Sequence, residues 1–266
     1  MLLKKHVQRD VGRVMSHTGD VNVTRDRYFS GKMPRNLDAL LAERHEWMRP
    51  FISGRAIEVG SGAGLSREYL APIPVLLSDV GKQDFLDYCD VDATALPFDD
   101  ESCNTLIANN VIHHLAHPQV MFDEAWRVLR PGGRLIIQEI YASFLMRLVL
   151  RAMNHESYDM GVDPLDDRVP CNDPSDPWSA NCAVPRLLFD DRRSMAALGA
   201  RWDLEYRKMV ECLMFLNSGG VVAKTVYVPL PTRLLRLVAR LDAALVRVAP
   251  RLLALQLQIV LTKRAQ

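Results

Sequence analysis

The 266-residue sequence has almost no surplus charge: 33 basic side chains against 32 acidic ones leave a formal net charge of +1. A chain so balanced has no global pull toward nucleic acid or acidic surfaces, and any preference rests on local patches. Cysteine is sparse and carries no pattern. Cys89, Cys103, Cys171, Cys182 and Cys212 are odd in number and include no C-x-x-C pair, which argues against a disulfide framework and a zinc ribbon. Apolar runs long enough to cross a bilayer are missing too, Phe144–Leu150 and Leu252–Leu261 being short or interrupted. Met1–Asp10 has no apolar stretch of the secretory kind, so the expected location is cytoplasmic, with membrane-peripheral placement left open. Internal repeats and low-complexity tracts are absent.

What is present suits a globular chain. Hydrophobic residues make up 48% and charged residues 24%, enough for one α/β domain with an appended piece. Residues 1–36 read as a loosely attached arm. Leu37–Phe51 has helical spacing, with Asn36 as its N-cap. Ala56–Val59, Val75–Val80, Thr105–Ala108 and Leu135–Ile140 are short apolar runs bounded by turn residues, as buried parallel strands are. A helix at Gln119–Leu129, stopped by Pro131-Gly132-Gly133, separates the last two. Helices are expected at Phe144–Met153 and Pro185–Leu198, and strands at Asp203–Val210 and Leu255–Thr262. The organisation follows: a core at 37–143, a lid and helix at 144–199, and terminal strands with a helical insertion at 200–266, all in one domain.

Ala56 to Gly64 reads as a strand running into a glycine-rich turn, with a short helix at Leu65–Leu70. Such a turn lets backbone approach a ligand closely, and the helix start presents unpaired N–H groups. Two details turn the reading away from NAD. The spacing is G-x-G-x-G instead of G-x-G-x-x-G, and Glu58 precedes the first glycine by two residues. An acid there suits a ligand bearing an ammonium group and repels a pyrophosphate.

Glu58-Val59-Gly60-Ser61-Gly62-Ala63-Gly64 resembles motif I of the class I S-adenosylmethionine-dependent methyltransferases. Leu77-Ser78-Asp79, Asp92-Ala93 before Leu96-Pro97-Phe98, Asn109-Asn110-Val111-Ile112-His113-His114-Leu115 and Arg127–Gly133 resemble that family's later motifs in the right order, over about residues 55–141. Together with Asp173–Asn181 and Pro185–Phe189, the layout resembles a bacterial branch of the type 11 methyltransferases. The resemblance implies a Rossmann-like sheet, mostly parallel with the last strand antiparallel and helices on both faces. It implies S-adenosylmethionine as cofactor and S-adenosylhomocysteine as product. The implied cofactor residues are Glu58 for the ammonium, Gly60, Ser61, Gly62 and Gly64 for the loop, Asp79 for the ribose hydroxyls, Asp92 and Ala93 for the adenine, and Asn109. One departure stands out: only Gly81–Asp84 separates the second strand from the next candidate strand, Phe85–Val91, too short for a helical crossover.

Methyl transfer from a sulfonium is an in-line displacement, so the protein's main task is alignment and exclusion of water. His114 is the candidate base and packing or orientation its other reading; His113 and His117 have a ligand spacing but lack a third partner in sequence, so no metal is expected. The loop His155–Asn181 offers Tyr158, Trp178 and Asn181 as pocket residues, with its acids read as solvated. The insertion Pro229–Pro250 carries Leu234, Val238, Leu241, Leu245 and Val248 on one face, with Arg233, Arg236, Arg240 and Arg247 nearly unopposed. Such a helix either covers core or an oligomer partner, or lies on an anionic membrane. The expected activity is methylation of a small or lipid-linked acceptor, at oxygen before nitrogen or carbon. The alternative is a cofactor-binding member that does not methylate. A nucleic-acid acceptor is disfavoured, because the fourth strand ends in Asn109-Asn110-Val111-Ile112 and lacks the Pro-Pro-aromatic motif.

Overall fold

A computed structural model describes residues 3–7, 17–154, 156–176, 178–220 and 225–265, with backbone alone at 17–20. Of the stretches singled out above, His155, Pro177 and half of Met1–Asp10 lie outside the described residues. The elements in chain order are β1 (Lys5–His6), α1 (His17–Phe29), α2 (Arg35–Glu46), β2 (Ala56–Val59), α3 (Ser66–Tyr69), β3 (Val75–Ser78), β4 (Cys103–Asn109), α4 (Pro118–Val128) and β5 (Leu129–Ile140). There follow α5 (Phe144–Met153), β6 (Tyr158–Asp159), α6 (Val184–Asp190), α7 (Arg192–Gly199), β7 (Trp202–Val210), α8 (Leu213–Leu216), α9 (Thr232–Val248), α10 (Pro250–Leu253) and β8 (Gln256–Lys263).

Six strands form one sheet in the order β3-β2-β4-β5-β8-β7. β2, β3, β4 and β5 pair in parallel, while β8 runs antiparallel to both β5 and β7. β7 therefore points the same way as β5, and the last strand alone is reversed. Alternate residues of each strand feed two cores. Ile57, Leu106, Leu135 and Ile259 pack with Met121, Phe122 and Ala125 of α4 and with Leu188 and Phe189 of α6. Ala56, Ile107, Ile136 and Val260 pack on the other face with Met48 and Leu70. Strands buried on both faces explain the unbroken apolar runs.

The short connection after β3 has a clear structural consequence. No third strand forms at Phe85–Val91; only Tyr88 bridges to Ser78, in parallel. So short a connection cannot carry a helix across and back. β3 thus becomes an edge, and Asp87 blunts it: its carboxylate accepts the Leu77 N–H at 2.7 Å, while the Asp87 and Tyr88 N–H groups donate to the Leu77 carbonyl.

Three local readings are corrected. The helix expected through Phe51 stops at Glu46, since Pro50 has no N–H to give the Glu46 carbonyl; a 3-10 turn takes Arg49–Phe51. Asn36 lies inside the first turn of α2, and its amide donates at 2.8 Å to the carbonyls of Asn217 and Val228, so tertiary bonding outcompetes capping. The single helix expected at Pro185–Leu198 is two, broken at Asp191, which is extended and caps α7 by accepting the Ser194 N–H at 2.9 Å. α2 is fastened to the far side of the sheet by Arg44, which makes a two-pronged ion pair with Glu211 at 2.6–2.7 Å, both side chains buried.

Candidate functional site

β2 ends at Val59, and the chain turns through Gly60–Gly64 into α3. Gly60 has φ +65, and a Cβ there would stand 2.5 Å from the Val111 side chain, so only glycine fits. Gly62 has φ +51 but faces open space, with nothing within 4 Å of the place a Cβ would take. A backbone bare on its outer side is a cradle for a ligand. Ser61 stitches the turn to β3: its N–H donates to the Ser78 carbonyl at 3.0 Å, and its hydroxyl accepts the Ser78 N–H at 3.1 Å.

Asp79, at the carboxyl end of β3, is buried. One carboxylate oxygen accepts the Gly62 N–H at 2.8 Å and the other the Gly81 N–H at 3.0 Å. A carboxylate has about four acceptor positions, so each oxygen retains capacity for a sugar hydroxyl. Asp92 forms a turn by accepting from the Thr94 N–H and hydroxyl with one oxygen, both at 2.7 Å, leaving the other to solvent beside buried Ala93. Asn109 closes β4 and accepts from the Asn110 amide at 3.2 Å. The glycine turn, Asp79 and Asn109 lie at the carboxyl ends of parallel strands, where open α/β sheets hold ligands, and Asp92 follows just after β3.

Glu58 is 2% exposed and accepts a short hydrogen bond from Ser66, the first residue of α3. Burial pushes its carboxyl up to about 7, although the Ser66 and Ser61 hydroxyls pull the other way and Asp79 adds repulsion. A buried acid of this kind gains most from a cation. The residues suit the amino-acid end of S-adenosylmethionine, for which Glu58 would meet the ammonium, Gly62 the chain and Asp79 the ribose. A consequence can be measured. Below pH 7 Glu58 takes up a proton and the attraction is lost, so the dissociation constant is expected to be about eightfold weaker at pH 6 than at pH 7.5. Calorimetry with S-adenosylhomocysteine checks it, and the slope should flatten in Glu58→Gln.

A second cluster follows β4 and β5. Glu139, fully buried on β5, accepts the N–H groups of Ile112 and Ile140 and, at 2.7 Å, Nδ1–H of His113. The far nitrogen of His113 lies 3.9 Å from a Glu156 oxygen, which also accepts from the Cys182 thiol at 3.1 Å. Burial alone would lower the His113 value, but the charge and hydrogen bond of Glu139, with Glu156, outweigh it and raise the net value above that of a free imidazole. The His114 ring lies tilted against that of His113 with centroids 4.2 Å apart, and it donates Nδ1–H to the Ser179 carbonyl at 3.1 Å, leaving Nε2 as a lone pair. Burial, with His113 beside it, lowers His114 to about 4, so its ring is neutral at ordinary pH. His113, His114 and Glu156 each offer a ligand atom within 4.8 Å of the others. That third acid is forty residues away in sequence, and the structure supplies the partner the histidines lacked. The carboxylate and carbonyl behind the two rings also satisfy the cluster without an ion. His117 stands apart, ahead of α4.

The lid residues divide. Tyr158 is fully buried and its hydroxyl finds no partner among the described residues, a polar atom still to be satisfied. Asn181 uses its amide internally: Oδ1 accepts the Asp159 and Ala183 N–H groups, and Nδ2 donates to the Cys171 carbonyl at 3.2 Å. It clasps the loop. Trp178 is half-buried near it, its N–H on Asp176 at 2.9 Å. Sequence reasoning missed Ser66, Glu139 and Glu156. Glu139 had a signal, an acid inside the apolar run Leu135–Ile140; Glu156 had none.

The two clusters adjoin, because Val111, whose side chain meets Gly60, leads directly into Ile112–His114. A family model described as a methyltransferase domain, type 11, matches residues 57–137. A demethylmenaquinone methyltransferase of Clavibacter sepedonicus is 32% identical over 104 residues, 34% of this chain and 42% of that one. A ubiquinone/menaquinone biosynthesis C-methyltransferase of Roseobacter denitrificans is 45% identical over 56 residues, 21% and 22% of the two chains. The chain thus spans less than half the length of these relatives. The crystal structure of a SAM-dependent methyltransferase from Archaeoglobus fulgidus shares the fold, with TM-score 0.51 at 14% identity over 85% of this chain and 94% of that one. Residues 57–137 of this chain thus match a methyltransferase domain, set in a sheet with the fold of a SAM-dependent methyltransferase.

Proposed function

We propose that the chain methylates a small or lipid-linked acceptor whose nucleophile is freed by loss of a hydroxyl proton, a hydroquinone or phenol ring being the favoured class. The observation that carries this reading is the junction of the two clusters: a turn built for an adenosyl amino acid leads, through Val111, into a buried His113–Glu139 pair. S-adenosylmethionine, when bound, supplies a methyl group on a positive sulfur. The chain's residues do the rest. Glu58 and Asp79 fix the donor's two ends. Glu139 holds His113 so that its far nitrogen is the one presented, and that nitrogen takes the hydroxyl proton.

The oxygen acceptor expected from the sequence finds no support among the relatives. One of them is named a C-methyltransferase, and a ring carbon made nucleophilic by loss of the phenolic proton is the atom we put forward. Membership in the family does not by itself guarantee turnover. The decisive test is transfer of label from methyl-tritiated S-adenosylmethionine to demethylmenaquinone and to a soluble hydroquinone, followed by mapping the labelled atom. Label on ring carbon supports the reading; label on oxygen corrects the atom. No transfer to any acceptor, with S-adenosylhomocysteine still bound, returns the chain to a cofactor-binding role without methylation.

A further inference from the structure

α9 leaves most of the apolar face read from its sequence exposed, Val238 alone of those residues packing inward beside Leu235. Leu234, Leu237, Leu241, Leu245 and Val248 fall within roughly 80° of the helix circumference at 3.6 residues per turn, yet they stay 39–86% exposed. The inward face is instead Leu235, Asp242 and Val246. Leu235 packs with Leu40 and Met214, so the helix is fixed to the body through a different stripe from the leucine one.

The charge on α9 is equally one-sided. Its only acid, Asp242, is turned inward, where it accepts the N–H groups of Cys212, Leu213 and Met214 at the start of α8. Arg233, Arg236, Arg240 and Arg247 lie together along one flank of the apolar stripe, exposed and, among the described residues, without an ion-pair partner. Nothing negative remains on the outer surface of the helix. α10, in contact with α9 and α5, extends the same chemistry with exposed Leu252 and Arg251, and α5 adds exposed Phe144 and Leu148.

We infer that this surface docks on an anionic lipid bilayer, with α9 lying in the interface plane. Leucines on one stripe enter the acyl boundary while the flanking arginines meet lipid phosphates, the pattern of an interfacial helix. A second copy of the chain is the poorer occupant: antiparallel pairing of α9 with itself sets one row of arginines against the other with no acid between them. Asp242 ties the middle of α9 to the residues that follow β7, and β7 points the same way as the strands that carry the glycine turn. Docking would therefore set the cofactor end of the sheet near the lipid, where a membrane-dissolved acceptor lies. The inference stands on the surface alone and needs no turnover, so it can fail while the methyltransferase reading holds, and the reverse.

The test is co-sedimentation of the full chain with vesicles of phosphatidylcholine alone and of phosphatidylcholine with phosphatidylglycerol. Binding is expected to the anionic vesicles and to fall with added salt. R236E/R240E should weaken it about tenfold, and L241Q/L245Q should weaken it on the same vesicles by removing the inserted face. These positions are exposed, so melting temperatures should match the wild type. Equal binding to both vesicle types, or no loss in either variant, overturns the inference. So does a dimer in sedimentation velocity that L241Q/L245Q dissolves.

Discussion

Asp79→Ala is expected to weaken binding of S-adenosylhomocysteine by about 10²–10⁴-fold, from the loss of two hydrogen bonds to a charged acceptor at about 1.5–3 kcal/mol each. The carboxylate has a double duty that makes the loss so large. It holds the Gly62 and Gly81 N–H groups, and so fixes the glycine turn before any ligand arrives. Its remaining lone pairs would serve the ribose in the proposed complex. Removing it leaves two backbone donors in a buried corner, so the melting temperature should fall as well. Asp79→Asn separates the two duties. Its one carbonyl oxygen can still accept from Gly62, while its NH₂ faces the Gly81 N–H and cannot accept from a ribose hydroxyl. The asparagine variant should keep more stability than the alanine variant and still bind poorly. Isothermal titration with both, beside their thermal melts, reads this out; a dissociation constant within threefold of wild type in either variant removes Asp79 from the ribose site.

The sequence revealed what local geometry dictates and missed what only folding brings together. Gly60 and Gly62 were readable because positive φ favours glycine at both, and close approach of Val111 demands it at Gly60. Asp79 was readable because a strand end followed by an acid is a local pattern. The missing crossover was also readable, as chain length forbids it. Asn36 misled because a capping residue and a tertiary clasp look identical in one dimension; its partners lie more than 180 residues on. Glu156 reaches His113 only through the fold of the lid, and no spacing rule foretells a contact across forty residues. On α9 the periodicity gave the helix and most of the apolar stripe, but it placed on it Val238, which packs inward beside Leu235, and left out exposed Leu237. It did not say which stripe turns inward, because Asp242 is drawn inward by three backbone donors that follow β7, some thirty residues away in sequence.

Glu139→Gln should cut turnover by about 10²–10⁴-fold, the range a positioned base contributes, with affinity for S-adenosylhomocysteine nearly unchanged. Glutamate here accepts three N–H groups, from Ile112, Ile140 and His113. Glutamine can still accept from Ile112 but then points its own NH₂ at the Ile140 N–H and at His113, which must answer with a bare Nδ1 and carry its proton on the far nitrogen. That is the wrong tautomer for taking a proton from an acceptor. The pH profile distinguishes this from simple damage to the fold. In the wild type, burial lowers the His113 value and Glu139 more than restores it; a base with a raised value becomes active only as pH climbs through it, so the acid limb of the profile lies above the ordinary histidine range. Without the Glu139 charge, burial dominates and the limb of the residual activity should move to lower pH. Stability follows the same linkage. The protonated pair contributes fully below the unfolded histidine value of about 6.5 and loses its contribution as pH rises through the raised folded value. Wild type should therefore lose stability on that alkaline side, and the variant should not. A variant that keeps turnover within threefold, or lowers it with no shift of the acid limb, would leave Glu139 a buried strut and His113 no base.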